Sequence, residues 1–175
     1  VLVVKEGTVV FDRSYGHLDY EKSSPVTSET VYDLASVTKV AATTLAAMFL
    51  HSRGELDLSK TLGDYLPELK ATNKGGILLS NLLAHEAGLK AFIPHYTKTL
   101  SSGKWNPSYY KDSISEGYTL PVSNGIFAQT SLRDSLWKWT VESQLLPKPY
   151  NYVYSDLTMY FMQAVVERIV NQPLD

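Results

Sequence analysis

The first apolar residues fall in two short runs, Leu2-Val3-Val4 and Thr8-Val9-Val10-Phe11. Glu6-Gly7 stands between them. The pattern predicts two strands joined by a tight hairpin, because Gly tolerates positive φ in the turn. Position 1 already lies at or inside the first strand. Residues Ser23 to Thr30 are polar with one Pro and read as a loop. From about Ser36 to Arg53 the period changes. Val37, Val40, Ala41, Thr44, Leu45 and Met48 recur at i, i+3, i+4, i+7, i+8 and i+11, one continuous face of a helix. Gly54, after His51 and Arg53, supplies the stop. Two shorter helices are expected near Leu62–Tyr65 and Leu79–Ala84.

Between Phe92 and Gln129 neither period holds. Pro94, Pro107, Pro121, Gly103, Gly117 and Gly125 are mixed there with Tyr96, Trp105, Tyr109, Tyr110 and Tyr118. A loop of this length in a compact domain is functional or disordered. Its aromatic content argues for an ordered one. A helix near Ser131–Ser143 follows, with Thr130 or Ser131 as N-cap and Asp134 in its first turn. Pro147 and Pro149 break the chain. The last helix starts near Ser155 or Asp156, and Leu157, Tyr160, Phe161, Ala164, Val165 and Ile169 form its apolar face. No internal repeat interrupts this order.

The 175 residues suffice for one substantial core. With 44% hydrophobic and 19% charged residues, the chain reads as an ordinary globular protein, not a disordered or collagen-like one. The net charge of −2 favours neither nucleic acid nor an anionic membrane. The absence of cysteine excludes disulfides, thiolate metal sites and a cysteine nucleophile. No apolar run approaches the roughly 20 residues that span a bilayer. No signal-peptide pattern is visible in the chain.

Ser36-Val37-Thr38-Lys39 sets a hydroxyl and an amine three apart at a helix start, where i and i+3 share a face. Serine becomes a competent nucleophile when a neighbouring base takes its proton, and lysine serves if its surroundings allow. The spacing alone is weak. It recurs at Ser101/Lys104, Ser108/Lys111 and Ser135/Lys138. Only Ser36 sits where a loop becomes a long apolar-faced helix, and a plain helix cap remains the alternative. Tyr154-Ser155-Asp156 offers a phenol that can act as a base beside a cation. It offers also a carboxylate that could pair with the lysine or cap the last helix. Tyr110-Lys111-Asp112 repeats that pattern, so core packing of Tyr154 stays open. His17, His51, His85 and His95 have no metal-ligand spacing, and His85-Glu86-Ala87-Gly88-Leu89 lacks the second histidine of a zinc motif. A structural His85, bonding a backbone carbonyl in a turn before Gly88, is expected.

Taken together, Tyr32-Asp33-Leu34-Ala35-Ser36-Val37-Thr38-Lys39 resembles the nucleophile motif of the serine β-lactamase and penicillin-binding-protein superfamily. It is closest to the branch of class C β-lactamases, D-amino-acid peptidases and related esterases. Gly54-Glu55-Leu56-Asp57-Leu58 and Tyr65-Leu66-Pro67-Glu68-Leu69 are similar to that branch's segment after the nucleophile helix. Leu82-Leu83-Ala84-His85-Glu86-Ala87-Gly88-Leu89 resembles its L-L-x-H-x-S-G-L turn. Tyr154-Ser155-Asp156-Leu157 resembles its Y-S-N/D-L motif.

The resemblance implies an α+β fold of the β-lactamase type, a helical subdomain beside an antiparallel sheet. Residues 1–175 would hold the helical part and the N-terminal hairpin of a single serine hydrolase domain whose C-terminal part is missing. It implies that Ser36 attacks a carbonyl to form an acyl-enzyme. Lys39 and Tyr154 would share the general-base work, Asp156 would face the substrate, and the Ser36 N–H would form half of an oxyanion hole. The third motif, K/H-x-G on a strand after the last helix, is absent, so the piece by itself is expected to be inactive. Position 156 is Asp where the lactam-hydrolysing members have Asn, which favours an esterase or peptidase over a β-lactamase. The expected substrate is a small ester, a D-amino-acid peptide or a β-lactam-like molecule. No cofactor or metal and no nucleic-acid partner is implied, and the resemblance suggests a periplasmic or extracytoplasmic setting. The alternative is a non-catalytic relative that binds cell-wall peptide or a partner, or an accessory domain of a longer chain.

Overall fold

The computed structural model describes residues 1–174. They form two compact units that divide after Val37. The first unit is built on the predicted hairpin. Strands β1 (Leu2–Lys5) and β2 (Thr8–Asp12) pair antiparallel with a bulge between Val3 and Val4. Glu6 and Gly7 both take positive φ, 51° and 77°, as the two central residues of a type I′ turn must. A bridge between His17 and Pro25 closes the loop that follows.

The second unit holds the core. A π-helical segment, Lys39–Thr44, runs straight into α1 (Leu45–Ser52). Next come α2 (Leu62–Tyr65), a 3₁₀ turn Pro67–Leu69 and α3 (Leu79–Leu83). Reciprocal hydrogen bonds between Thr61 and Asp64 cap α2. The final helix α6 (Asp156–Val170) lies against the π segment, α1 and α2. Its Leu157, Phe161, Met162, Val165 and Val166 are buried with Leu56, Leu62, Leu66, Leu79 and Leu82.

Two predicted helix faces are shifted. In the first helix Val40, Leu45 and Met48 are exposed, and Thr43, Ala47 and Leu50 are the buried positions. The inward positions 43, 47 and 50 keep the helical spacing but lie on a different face from the predicted one, because Leu45, Met48 and Phe49 make the helix apolar on more than one side. In α6 Tyr160 is 44% exposed, and Met162 and Val166 join the core in addition to Leu157, Phe161 and Val165. The helix predicted from about Ser36 is helical from Val37, with the π segment beginning at Lys39.

The aromatic segment is ordered. It contains α4 (Tyr96–Thr99), a small hairpin of β3 (Leu100–Ser101) and β4 (Lys104–Trp105), and a three-stranded antiparallel sheet. That sheet has the order β5 (Tyr110–Lys111), β7 (Ile126–Ala128), β6 (Leu120–Ser123). Five strands therefore lie beyond the hairpin, where only the hairpin strands were expected. Tyr hydroxyls tie the segment together: Tyr110 donates to Thr99 Oγ1 at 2.9 Å and Tyr118 to the Ser108 carbonyl at 3.0 Å. Helix α5 (Leu132–Val141) follows, with Ser131 at its N-cap position. Helices beside short antiparallel sheets make the fold α+β, as predicted. No helix among the described residues is long and apolar enough to cross a membrane.

Candidate active site

The start of α6 is where the polar chemistry of the second unit concentrates. Ser155 is its N-cap: its Oγ accepts from the Leu157 N–H at 3.2 Å. The capping role therefore falls to Ser155 and leaves Asp156 available for another partner. Asp156 Oδ1 meets Lys39 Nζ at 2.6 Å. The Lys39 side chain is 15% exposed and that of Asp156 39%. Lys39 opens the π segment, whose first carbonyl accepts from Thr44 Oγ1 at 2.8 Å. The same ammonium lies 5.1 Å from the centre of the Tyr154 ring. Three of the four sequence-predicted site residues, Lys39, Tyr154 and Asp156, are thus brought together from positions 115 residues apart in the chain (154 − 39).

The hydrogen bond to Asp156, with a further one to Tyr154, holds the Lys39 pKa above its ordinary value against the opposing effect of burial. The lysine is therefore an ammonium at neutral pH. Tyr160, one turn along α6, is raised by burial and by the Asp156 charge.

Ser36 belongs to the first unit. It lies on a turn in which the Val37 N–H donates to the Leu34 carbonyl at 2.9 Å and Ala35 adopts φ 43°. The Asp33 carboxylate accepts from the Ala35 N–H at 2.8 Å and fixes that turn.

The other S-x-x-K and Y-x-D matches have structural duties. Ser135 Oγ donates to the Ser131 carbonyl one turn back, Tyr110 is bound to Thr99, and Lys111 stacks on Tyr118.

His85 is the residue that motif reading undervalued. It was expected to bond a backbone carbonyl; instead its Nδ1 accepts. The Ser155 N–H lies 3.1 Å from Nδ1, and Thr158 Oγ1 also lies at 3.1 Å. A backbone N–H can only donate, so Nδ1 carries no proton and Nε2 does. The imidazole centre is 4.9 Å from that of Tyr154. Burial, with the nearby Lys39 charge, lowers the His85 pKa and keeps the ring neutral. The only sequence signal for this role was the left-handed turn that the L-L-x-H-x-x-G-L pattern requires, with His85 at φ 58° and Gly88 at φ 69°.

Among the described residues no group of three His, Asp or Glu side chains could hold a metal ion.

The family model described as Beta-lactamase matches residues 1–175, and the chain belongs to that family. A beta-lactamase of Providencia stuartii is 35% identical over 85 residues, 49% of this chain and 22% of that protein. Esterase EstB of Burkholderia gladioli is 28% identical over 177 residues, 99% of this chain and 41% of that protein. In fold, the octameric penicillin-binding protein homologue from Pyrococcus abyssi is similar, with a TM-score of 0.64 and 20% identity. That match covers 99% of this chain and 35% of the homologue. The chain spans well under half the length of each of these relatives.

Proposed function

We propose that residues 1–175 carry the nucleophile and the proton-transfer groups of a serine hydrolase that cleaves esters or amides through an acyl-enzyme. The observation that carries this reading is the junction of Lys39, Tyr154 and Asp156 at the start of α6. It lies in a chain whose Ser36 precedes Lys39 by three positions. Ser36 Oγ attacks the substrate carbonyl carbon and forms the new C–O bond. Its proton passes to the Tyr154–Lys39 pair. Because Asp156 keeps Lys39 charged, the ammonium stabilises Tyr154 as a phenolate, and that phenolate takes the serine proton to become the phenol. The Ser36 N–H supports the oxyanion. Collapse expels the alcohol or amine, which recovers the proton, and water then releases the acid by the same steps in reverse.

Asp156 in place of the asparagine of lactam-hydrolysing relatives favours a small ester or a D-amino-acid peptide as substrate. Both EstB and the other relatives are more than twice as long as this chain. We place residues 1–175 in a longer hydrolase domain outside the cytoplasm, with no activity by themselves. The test is labelling of the full-length protein with a fluorophosphonate and with a fluorescent penicillin. An adduct lost in Ser36→Ala supports the hydrolase. No adduct with either probe in the wild-type protein refutes it and leaves a binding domain that keeps the motifs as scaffold.

A further inference from the structure

The segment that presents Tyr154 and Asp156 is held from outside by one turn, residues 85–91. Four hydrogen bonds join them. The Val153 N–H donates to the His85 carbonyl at 2.9 Å, and the Ser155 N–H to His85 Nδ1 at 3.1 Å. Ser155 Oγ donates to the Lys90 carbonyl at 2.6 Å, and the Asp156 N–H to the Ala91 carbonyl at 2.8 Å. The two bonds to His85 fall on either side of Tyr154, and the imidazole packs against the phenol ring. Three of the four acceptors are backbone carbonyls, which accept at any pH. The fourth is a side chain that can acquire a proton.

We propose that His85 is a positioning residue whose unprotonated Nδ1, by accepting the Ser155 N–H, fixes Tyr154 over the Lys39 ammonium, and that protonation of this nitrogen releases Tyr154 and switches the site off. A protonated Nδ1 would present a hydrogen to a backbone N–H that has nothing else to donate to. The Thr158 hydroxyl on the same nitrogen can reverse its role and accept, whereas the Ser155 N–H cannot. The charged groups that face the ring are Lys39 from the π segment and Asp156 from α6, with Tyr152 and Tyr154 as its aromatic neighbours. Lys39 opposes a second positive charge and Asp156 favours one. Burial sides with Lys39, so the switch operates below the ordinary histidine range. This assignment rests on the proposed hydrolase reading, since it concerns the placement of that site's phenol.

The experiment uses the full-length protein and follows both fluorophosphonate labelling and ester hydrolysis from pH 5 to 8. His85→Asn supplies an uncharged oxygen near the place of Nδ1, and Asn tolerates the left-handed backbone at φ 58°. His85→Ala removes the acceptor. A misplaced reacting group costs on the order of 10²-fold in rate. The expected result is a loss of about that size in kcat for His85→Ala, with KM little changed. His85→Asn should recover at least a tenth of the wild-type rate and show a smaller acid-side fall than wild type. Equal rates in wild type and His85→Ala overturn the positioning role, and so does an Asn variant no better than Ala. An acid-side fall that persists unchanged in His85→Asn overturns the switch. Ser36→Ala is run beside them. If it labels and turns over like wild type, the hydrolase reading has failed. If it is dead while the His85 variants behave like wild type, only the present inference has failed.

Discussion

Replacing Asp156 by Asn isolates the electrostatics of the site. The substitution keeps shape and one acceptor oxygen but removes a negative charge 2.6 Å from Lys39 Nζ. A hydrogen bond to a charged group contributes about 1.5–3 kcal/mol net. The pair is 15% and 39% exposed on its two sides, so solvent screens it and the low end of that range applies. With the carboxylate gone, the charged form of Lys39 loses its main support. The Tyr154 phenol also loses a nearby anion that opposes its ionisation. Lys39, whose ordinary value is 10.5, stays an ammonium at neutral pH, so the loss of the anion beside Tyr154 is the change that eases proton removal from Ser36. Since about 1.4 kcal/mol is a factor of ten, Asp156→Asn should hydrolyse a small activated ester roughly tenfold faster at a fixed pH on the acid limb. The gain should vanish on the plateau. The assay is kcat/KM against pH for the full-length protein. An unmoved acid limb, or a uniform fall across the whole range, refutes the argument. The same variant tests linkage. Folding raises the Lys39 pKa above 10.5, so the pair's contribution to stability is complete below that pH and is lost as pH rises through the raised value. The denaturation midpoint of Asp156→Asn should therefore lie below wild type at neutral pH and approach it in strong alkali.

Ser36→Ala should abolish covalent labelling and leave the melting temperature within a few degrees of wild type, because losing one hydroxyl at a helix start costs about 1 kcal/mol. Lys74 is fully buried and hydrogen-bonded only to neutral acceptors, Asn73 Oδ1 and the Ser143 carbonyl, and burial lowers its pKa to about 8. Between that value and 10.5 the unfolded chain holds more protons, so stability should rise with pH across this window, by at most about 1.4 kcal/mol per pH unit. Urea midpoints should show the rise, and Lys74→Met should flatten it. Gly88→Ala would place a Cβ 2.5 Å from Tyr150 Cε1 at φ +69°. The left-handed backbone and the overlap together should cost about 2 kcal/mol or more, read by chemical denaturation.

What the sequence made legible was local. Glu6-Gly7 announced a turn because both central positions need positive φ. Ser155 announced the start of α6 because a hydroxyl there can satisfy a free N–H. The site's Lys39 and Tyr154 were legible through motifs, and Asp156 was narrowed to two roles, between which the ion pair decides. Three things were not legible. The first helix carries apolar residues on more than one face, so periodicity points to Val40 and Met48 where the buried positions are Thr43, Ala47 and Leu50. Strands of two to four residues, as in the 100–128 region, are too short to show alternation. His85 was read as structural, but its partner, the Ser155 N–H, lies 70 positions away and no local spacing could disclose that bond.

The π segment has a consequence for the tolerance of the protein to length changes. A π turn is an α-helix carrying one surplus residue. Deleting Ala41 would let the turn relax to regular α winding, an alteration the core could absorb because Ala41 is exposed. Each residue of an α-helix accounts for about 100° of rotation. With α1 anchored by Ala47 and Leu50, Lys39 would swing by about that angle around the axis, away from Asp156. A single-codon deletion in a run of alanines and threonines would thus disarm the site while sparing the fold, whereas the same deletion in α6 would unseat Phe161 or Met162 and take the core with it.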